Sequence, residues 1–264
     1  MRPPLLVTRQ GNLAGRHCDF SAVNLLLFDV DGTLTDTSAD DDRFFREALI
    51  ESLPSDAQPV TIPPWDEFPE VTHPAVAREV ITRACQRRAR EGEIFAVRRA
   101  HLLKWQQGID SGVVTIRPQP GAREIVEAAR RRPHFTAALA TGGWGPTALL
   151  KLTAAGFPVN DLVIATADDA EKRVGILRTA EIFAAAGRGV PGFDAIVLVG
   201  DGVWDGRAAQ AARAGFVGVA GEKSAVSLLR SNGAAAVIPH FQPPEDFWSA
   251  VNAALSLRRA STAN

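Results

Sequence analysis

Asp29 and Asp31 stand one residue apart at the end of an apolar run, Leu25-Leu26-Leu27-Phe28, and Gly32-Thr33 follows them. A short apolar run closed by a turn signal reads as a buried strand of a parallel sheet. Carboxylates at such a strand end are costly to bury unless a metal or a chemical task holds them there. Two further apolar runs end in the same way. Residues 135–140 lead into Thr141-Gly142-Gly143, and residues 195–199 lead into Gly200-Asp201, with Asp205 four positions on. Ligands of open parallel sheets sit beyond the carboxyl ends of the strands, so three parallel strands would bring these residues to one rim.

The residue types suit metal-assisted phosphoryl transfer. Asp29 is the candidate nucleophile: an ionised carboxylate can attack phosphorus and form an aspartyl-phosphate. Asp31 lies past the strand end, where the chain turns at Gly32, and suits proton delivery to the leaving oxygen and proton removal from water. Asp29, Asp201 and a backbone carbonyl near Asp31 make an all-oxygen set for Mg²⁺, with Asp205 completing the ligands or orienting a water. Such a metal offsets the repulsion between carboxylate and phosphate. Thr141 offers a hydroxyl, and Gly142 and Gly143 allow close N–H approach to phosphate oxygens at a helix N-terminus. A cation is needed for the remaining phosphate charge. Lys172 and Arg173 both stand just before a predicted helix at 174–186, and the choice between them leans to Lys172.

The elements that must position these residues fall into two textures. From 119 onward, strands alternate with helices: helix 121–132, strand 135–140, a helix beginning near Pro146, strand 162–165, helix 174–186, strand 195–199, strands 216–220 and 235–238, and a closing helix 247–257. This spacing predicts a parallel sheet with helices on both faces. Residues 37–118 instead read as an all-helical insertion, with helical spacing at 42–50, 75–90 and 94–107 and a proline-rich loop at 54–74. Within the insertion Asp41, Asp42, Trp65, Asp66, Thr72 and His73 are candidates to face a substrate. Packing of Trp65 and Phe68 onto the helices, with Asp41 and Asp42 starting a helix, is the competing structural explanation.

Bulk composition narrows the function classes. The chain has 264 residues, 29 basic and 30 acidic, for a net charge of −1. That balance argues against nucleic acid or an anionic membrane surface as partner, and Arg83, Arg87, Arg88 and Arg90 read as a solvated helix face. Cys18 and Cys85 cannot build a disulfide framework, and 1–10 lacks a signal-peptide apolar core, so the cytoplasm is the expected compartment. His17, His73, His101, His134 and His240 show no metal-ligand spacing, and the glycines near Trp144 and Trp204 do not match a dinucleotide-binding fingerprint.

Together these motifs resemble the haloacid dehalogenase-like hydrolase superfamily. Its Asp-x-Asp-Gly-Thr motif is matched by Asp29-Val30-Asp31-Gly32-Thr33, and its strand-end Thr or Ser by Thr141. Its Lys or Arg is matched by Lys172 or Arg173, and its Gly-Asp-x-x-x-Asp by Gly200-Asp201-Gly202-Val203-Trp204-Asp205. The resemblance implies a Rossmann-like, doubly wound α/β core (1–36 and 119–264), an inserted helical cap (37–118) as in phosphoglycolate phosphatase-like members, a phosphoaspartyl intermediate and Mg²⁺. Asp31 favours the phosphatase branch over dehalogenases. The expected activity is hydrolysis of a small phosphomonoester, the alternatives being a sugar phosphomutase or a non-catalytic phosphometabolite-binding protein. Arg173 stands where the family commonly has a proline after the Lys.

Overall fold

The computed structural model describes residues 23–262; the lead-in with His17 and Cys18 lies outside them. Six strands form one sheet: β1 (Asn24–Phe28), β2 (Phe135–Ala140), β3 (Val163–Ala165), β4 (Ala195–Gly200), β5 (Gly215–Val219) and β6 (Ala236–Ile238). Their order is β3-β2-β1-β4-β5-β6 and every pairing is parallel. The chain reverses its direction of travel between β1 and β4, and an open α/β sheet opens its ligand crevice at that point. Phe28 pairs with Leu139 on one side and Val199 on the other, so Asp29, Thr141 and Asp201 all leave the sheet at the same rim.

Helices cover both faces. α4 (Ala122–Arg131), α5 (Gly145–Ala154), α6 (Arg173–Arg188), α7 (Val203–Ala212), α8 (Lys223–Ser231) and α9 (Pro244–Thr262) follow the strands, while α1 (Ser38–Glu51), α2 (His73–Cys85) and α3 (Glu91–Asp110) fill the stretch after β1. α1 to α3 carry the expected helical texture, and no strand interrupts them among the described residues. α2 begins where Thr72 Oγ1 accepts from Ala75 N–H, with Pro74 in the first turn, positions where a hydroxyl cap and a missing N–H both favour a helix start. It ends at Cys85 because Gln86 takes a left-handed conformation, φ 51°. The basic run is therefore not one helix face: Arg83 belongs to α2, and the other three lie in the link to α3, where Arg87 pairs with Asp56 and Glu93. α7 and α8, for which the sequence pattern gave no expectation, follow β4 and β5.

Each face of the sheet has its own core. Leu26 and Phe28 point to one, where Phe28 meets Phe241 and Phe247 at ring-centroid distances of 6.4 and 6.0 Å. Leu25 and Leu27 point to the other, with Ala138, Leu198 and Ile176. This alternation is the period of two that a strand imposes. The inserted helices share these cores rather than building their own: Phe44 and Trp105 join the first, Phe45, Leu49 and Val97 the second. No described helix is long and apolar enough to cross a membrane.

Candidate active site

The rim forms a cleft of about 630 Å³, including its open mouth, between the strand ends and α1–α2. Asp29 lies at its floor, 3% exposed, and its N–H continues the ladder by donating to Val199 C=O. The chain then reverses: Gly32 N–H donates to Thr35 C=O, and Leu34 and Thr35 N–H both donate to Val30 C=O. Gly32 sits at φ +75°, and a Cβ there would stand 2.0 Å from Asp201 Oδ2. Glycine is thus required for backbone conformation and for the close approach of Asp201.

Asp29, Asp201 and Asp205 bring carboxylate oxygens within 4.8 Å of one another. Burial and the Asp205 charge hold Asp29 well above the ordinary carboxylate range, against the opposing pull of Arg173. Burial, with Asp205 again, pushes Asp201 up to about 7, and burial raises Asp205 although Arg173 and the Gly202 N–H oppose it. Carboxylates whose ionisation is penalised by burial and by one another fit a hard divalent cation, which would remove the penalty.

Arg173, the first residue of α6, is buried and reaches into this group. Its Nη1 is 3.4 Å from Asp29 Oδ1 and 2.9 Å from Asp205 Oδ1, the second contact being close but not aligned as a hydrogen bond. Lys172 is exposed and does not line the cleft. The structure thus brings Arg173, and not the favoured Lys172, to Asp29. One step along a helix turns a side chain by about 100°, so adjacent residues at a helix start cannot both face the cleft. Thr141 is buried, its Oγ1 accepting from Gly143 N–H at 3.2 Å. A Cβ on Gly142 would stand 2.8 Å from Val71 C=O and 3.2 Å from Arg173 Nη2, so this glycine admits both the inserted segment and the guanidinium.

Of the expected substrate-facing residues in the insertion, Asp41, Asp42, Trp65, Thr72 and His73 line the cleft. Thr72 Oγ1 is already engaged, donating to Glu171 C=O at 2.7 Å. Asp66 is exposed, lies outside the cleft, and accepts from Arg207 through its backbone carbonyl. Its place in the turn Trp65–Glu67 points it away.

Sequence spacing missed a second buried cluster beside the first. Lys151, on α5, is 1% exposed. Its Nζ donates to both oxygens of Asp31, at 2.5 and 2.6 Å, and to Asp41 Oδ1 at 2.8 Å. Thr37 Oγ1 also donates to Asp31, at 2.5 Å. Asp41 Oδ2 lies 2.9 Å from His73 Nε2, and Trp105 Nε1 donates to Asp41 Oδ1 at 3.1 Å. His101 completes the group, its ring 4.8 Å from that of His73. Two histidines with no ligand spacing in sequence are thereby brought together. Burial alone would raise Asp41, but Lys151, His73 and His101 outweigh it and hold the carboxyl well below its usual range. Burial pushes His101 down to about 4, so it stays neutral near pH 7. The available signal was Lys151 itself, which shares the buried face of α5 with Ala148 and Leu152.

Residues 23–213 match the family model of haloacid dehalogenase-like hydrolases. The chain belongs to this family. No curated protein matches the sequence. Among solved structures, a hydrolase from Pseudomonas syringae is 23% identical with a TM-score of 0.62, the match covering 87% of this chain and 98% of that one. A haloacid dehalogenase-like protein of unknown function from Agrobacterium tumefaciens is 20% identical (TM-score 0.54; 87% and 99% covered). CbbY from Rhodobacter sphaeroides, in a variant form in complex with xylulose-(1,5)-bisphosphate, is 20% identical (TM-score 0.56; 84% and 96% covered). At these identities the likeness is one of fold.

Proposed function

We propose that this family member is a Mg²⁺-dependent phosphatase that hydrolyses a small phosphomonoester through an aspartyl-phosphate, with residues 37–118 as a cap over the site. The observation that carries this reading is the grouping at one rim of Asp29, its partner acid Asp31 two residues on, and Arg173 with Nη1 3.4 Å from Asp29 Oδ1. Asp29, Asp201 and Asp205 would hold the metal, with a backbone carbonyl near Asp31. When bound, it neutralises carboxylate charge and polarises the phosphoryl group.

The roles of the chain's own residues follow from position. Asp29 Oδ attacks phosphorus as the ester P–O bond breaks, and Asp31 is the general acid through which the leaving oxygen gains its proton. Asp31 then takes a proton from the water that attacks the phosphorus of the acyl-phosphate, releasing inorganic phosphate and restoring Asp29. Arg173, with Thr141 Oγ1 and the N–H groups after it, neutralises and orients the phosphoryl oxygens. The inserted helices exclude bulk water. The substitution Asp29→Asn removes the nucleophile with almost no change in shape. We expect Mg²⁺-dependent phosphate release from p-nitrophenyl phosphate to fall below about one-thousandth of wild type. Retention of wild-type turnover by that variant would overturn the assignment.

A further inference from the structure

The polar atoms left over on the inserted side of the cleft carry information about what the cleft holds. The donors there are already engaged within the protein. Trp65 Nε1–H donates to Asp42 Oδ1 at 2.5 Å, and Thr72 Oγ1–H donates to Glu171 C=O at 2.7 Å. His73 Nδ1 is different: it is buried and has no partner. Its ring lines the cleft and lies over Gly143, where a Cβ would meet Cε1 at 3.5 Å and Nδ1 at 3.8 Å. The Asp41 carboxylate, 2.9 Å from Nε2, can only accept, so Nε2 carries a hydrogen, and Nδ1 is the ring nitrogen left to meet a ligand, as an acceptor in that tautomer. Asp42 Oδ2 is a second free acceptor, because Arg46 and Trp65 both bind Oδ1. A buried acceptor without a partner is costly, and a ligand that donates to it removes that cost.

The charges point the same way. Arg173 is the only Lys or Arg among the residues lining the cleft, against Asp29, Asp31, Asp41, Asp42 and Asp201, and it lies beside Asp29. Lys151 is spent on Asp31 and Asp41. The Arg46 guanidinium is spent on Asp42 and the carbonyls of Ile62 and Pro63. A second phosphate or a carboxylate on the leaving group would meet these acids and acceptors with no second cation lining the cleft; besides Arg173, the unpartnered side-chain donor there is a single neutral one, the buried Trp204 Nε1–H.

Resting on the phosphatase reading above, we propose that the substrate is a phosphomonoester of a small alcohol that carries hydroxyl or ammonium donors and no second anionic group, and that His73 Nδ1 reads this donor. The cleft thus differs in chemistry from one built for a bisphosphate, the ligand class of the CbbY complex.

The test is a panel of esters with the purified full chain and Mg²⁺, read as kcat/KM for phosphate release. Ethanolamine phosphate and glycerol 1-phosphate are compared with phosphoglycolate, 3-phosphoglycerate and fructose 1,6-bisphosphate, with p-nitrophenyl phosphate as reference. We expect at least one of the first two to exceed each anionic ester by tenfold or more. Ethanolamine phosphate leading would identify an ammonium as the donor, and glycerol 1-phosphate leading a hydroxyl. Equal rates, or preference for an anionic ester, with p-nitrophenyl phosphate still hydrolysed, would overturn this inference and leave the phosphatase reading standing. No release from any ester would overturn both. In His73→Ala the preference for donor-bearing esters should shrink at least tenfold, mainly through KM; undiminished preference would remove His73 as the reader. Because His73 is buried and its variant can lose the fold, the wild-type panel decides the substrate class independently.

Discussion

Replacing Lys151 by Met keeps the side chain's length and removes its charge. In the native protein this ammonium makes three contacts of 2.8 Å or less to two carboxylates, Asp31 and Asp41, at a position 1% exposed. Without it the buried Asp41 faces Asp31, itself only 18% exposed at the edge of the cleft, with no ammonium between them. Removing one partner of a buried ion pair costs about 3–5 kcal/mol, far more than an exposed pair, because an uncompensated charge stays inside. That is a large share of a total stability of about 5–15 kcal/mol. Urea unfolding should show it as a fall in the midpoint on the order of 1–2 M at unchanged slope. Adding Asp41→Asn to Lys151→Met should restore at least about 1 kcal/mol, since the two changes are coupled through one contact. The pH dependence has a definite sign. Asp41 is held below its ordinary value of 3.8, so its contribution is full above 3.8 and is lost as pH falls through the folded value. Lys151, which burial would lower but Asp31 and Asp41 raise, contributes fully below 10.5 and loses that as pH rises through its folded value. The gap between wild type and variant should therefore be widest between 3.8 and 10.5 and close on either side. A gap under about 1 kcal/mol near neutrality, or one that widens on acidification, would refute the reasoning.

Arg173→Ala should lower turnover by about 10²–10³-fold, as loss of a charged donor at a reacting oxyanion does, while Lys172→Ala should stay within about twofold in the same phosphate-release assay. His101, fully buried and pushed from 6.5 to about 4, binds its proton more readily unfolded; stability should drop as pH falls from 6.5 toward 4, by about 3 kcal/mol, and His101→Gln, followed by thermal melts across that range, should flatten the slope. Asp201→Asn should weaken Mg²⁺ binding at least tenfold by titration calorimetry, whereas Asp41→Asn should leave it within about twofold.

The sheet and the rim were legible because their signals are local. An apolar run ending in Asp or Thr needs only its own residues to be recognised, and a strand's direction then carries Asp29, Thr141 and Asp201 to one edge. α7 and α8 escaped because their apolar signals are thin: α7 buries small residues such as Ala208 and Ala209, and α8 buries only Leu229. The choice between Lys172 and Arg173 turned on where α6 begins, since a shift of one residue exchanges the inward and outward side chains. The cluster of Lys151, Asp41, His73 and His101 lay beyond sequence spacing altogether. Lys151 is 110 positions from Asp41, and His73 is 32. They meet only because α1, α2 and α3 fold back over α5 and share its core. A lysine on an apolar helix face marks a missing partner without naming it.

The two acidic clusters differ in what they ask of an incoming cation. Fully ionised, Asp29, Asp201 and Asp205 with Arg173 carry three negative charges and one positive, a net −2. Asp31 and Asp41 with Lys151 carry a net −1, and Asp41 is already bonded by Lys151, Trp105 and His73. Although Asp41, His73 and His101 lie as close together as metal ligands do, a divalent ion there would have to displace an ammonium held at 2.8 Å. The same ion at the first cluster meets two uncompensated charges and brings the sum to zero. A phosphate dianion approaching Asp29 without that ion faces the net −2 at close range, and with it faces none. On the proposed phosphatase reading, the buried carboxylates that make Asp29 hard to ionise on its own would thus make a divalent cation a precondition for phosphate binding, while Lys151 would keep the neighbouring acids from competing for it.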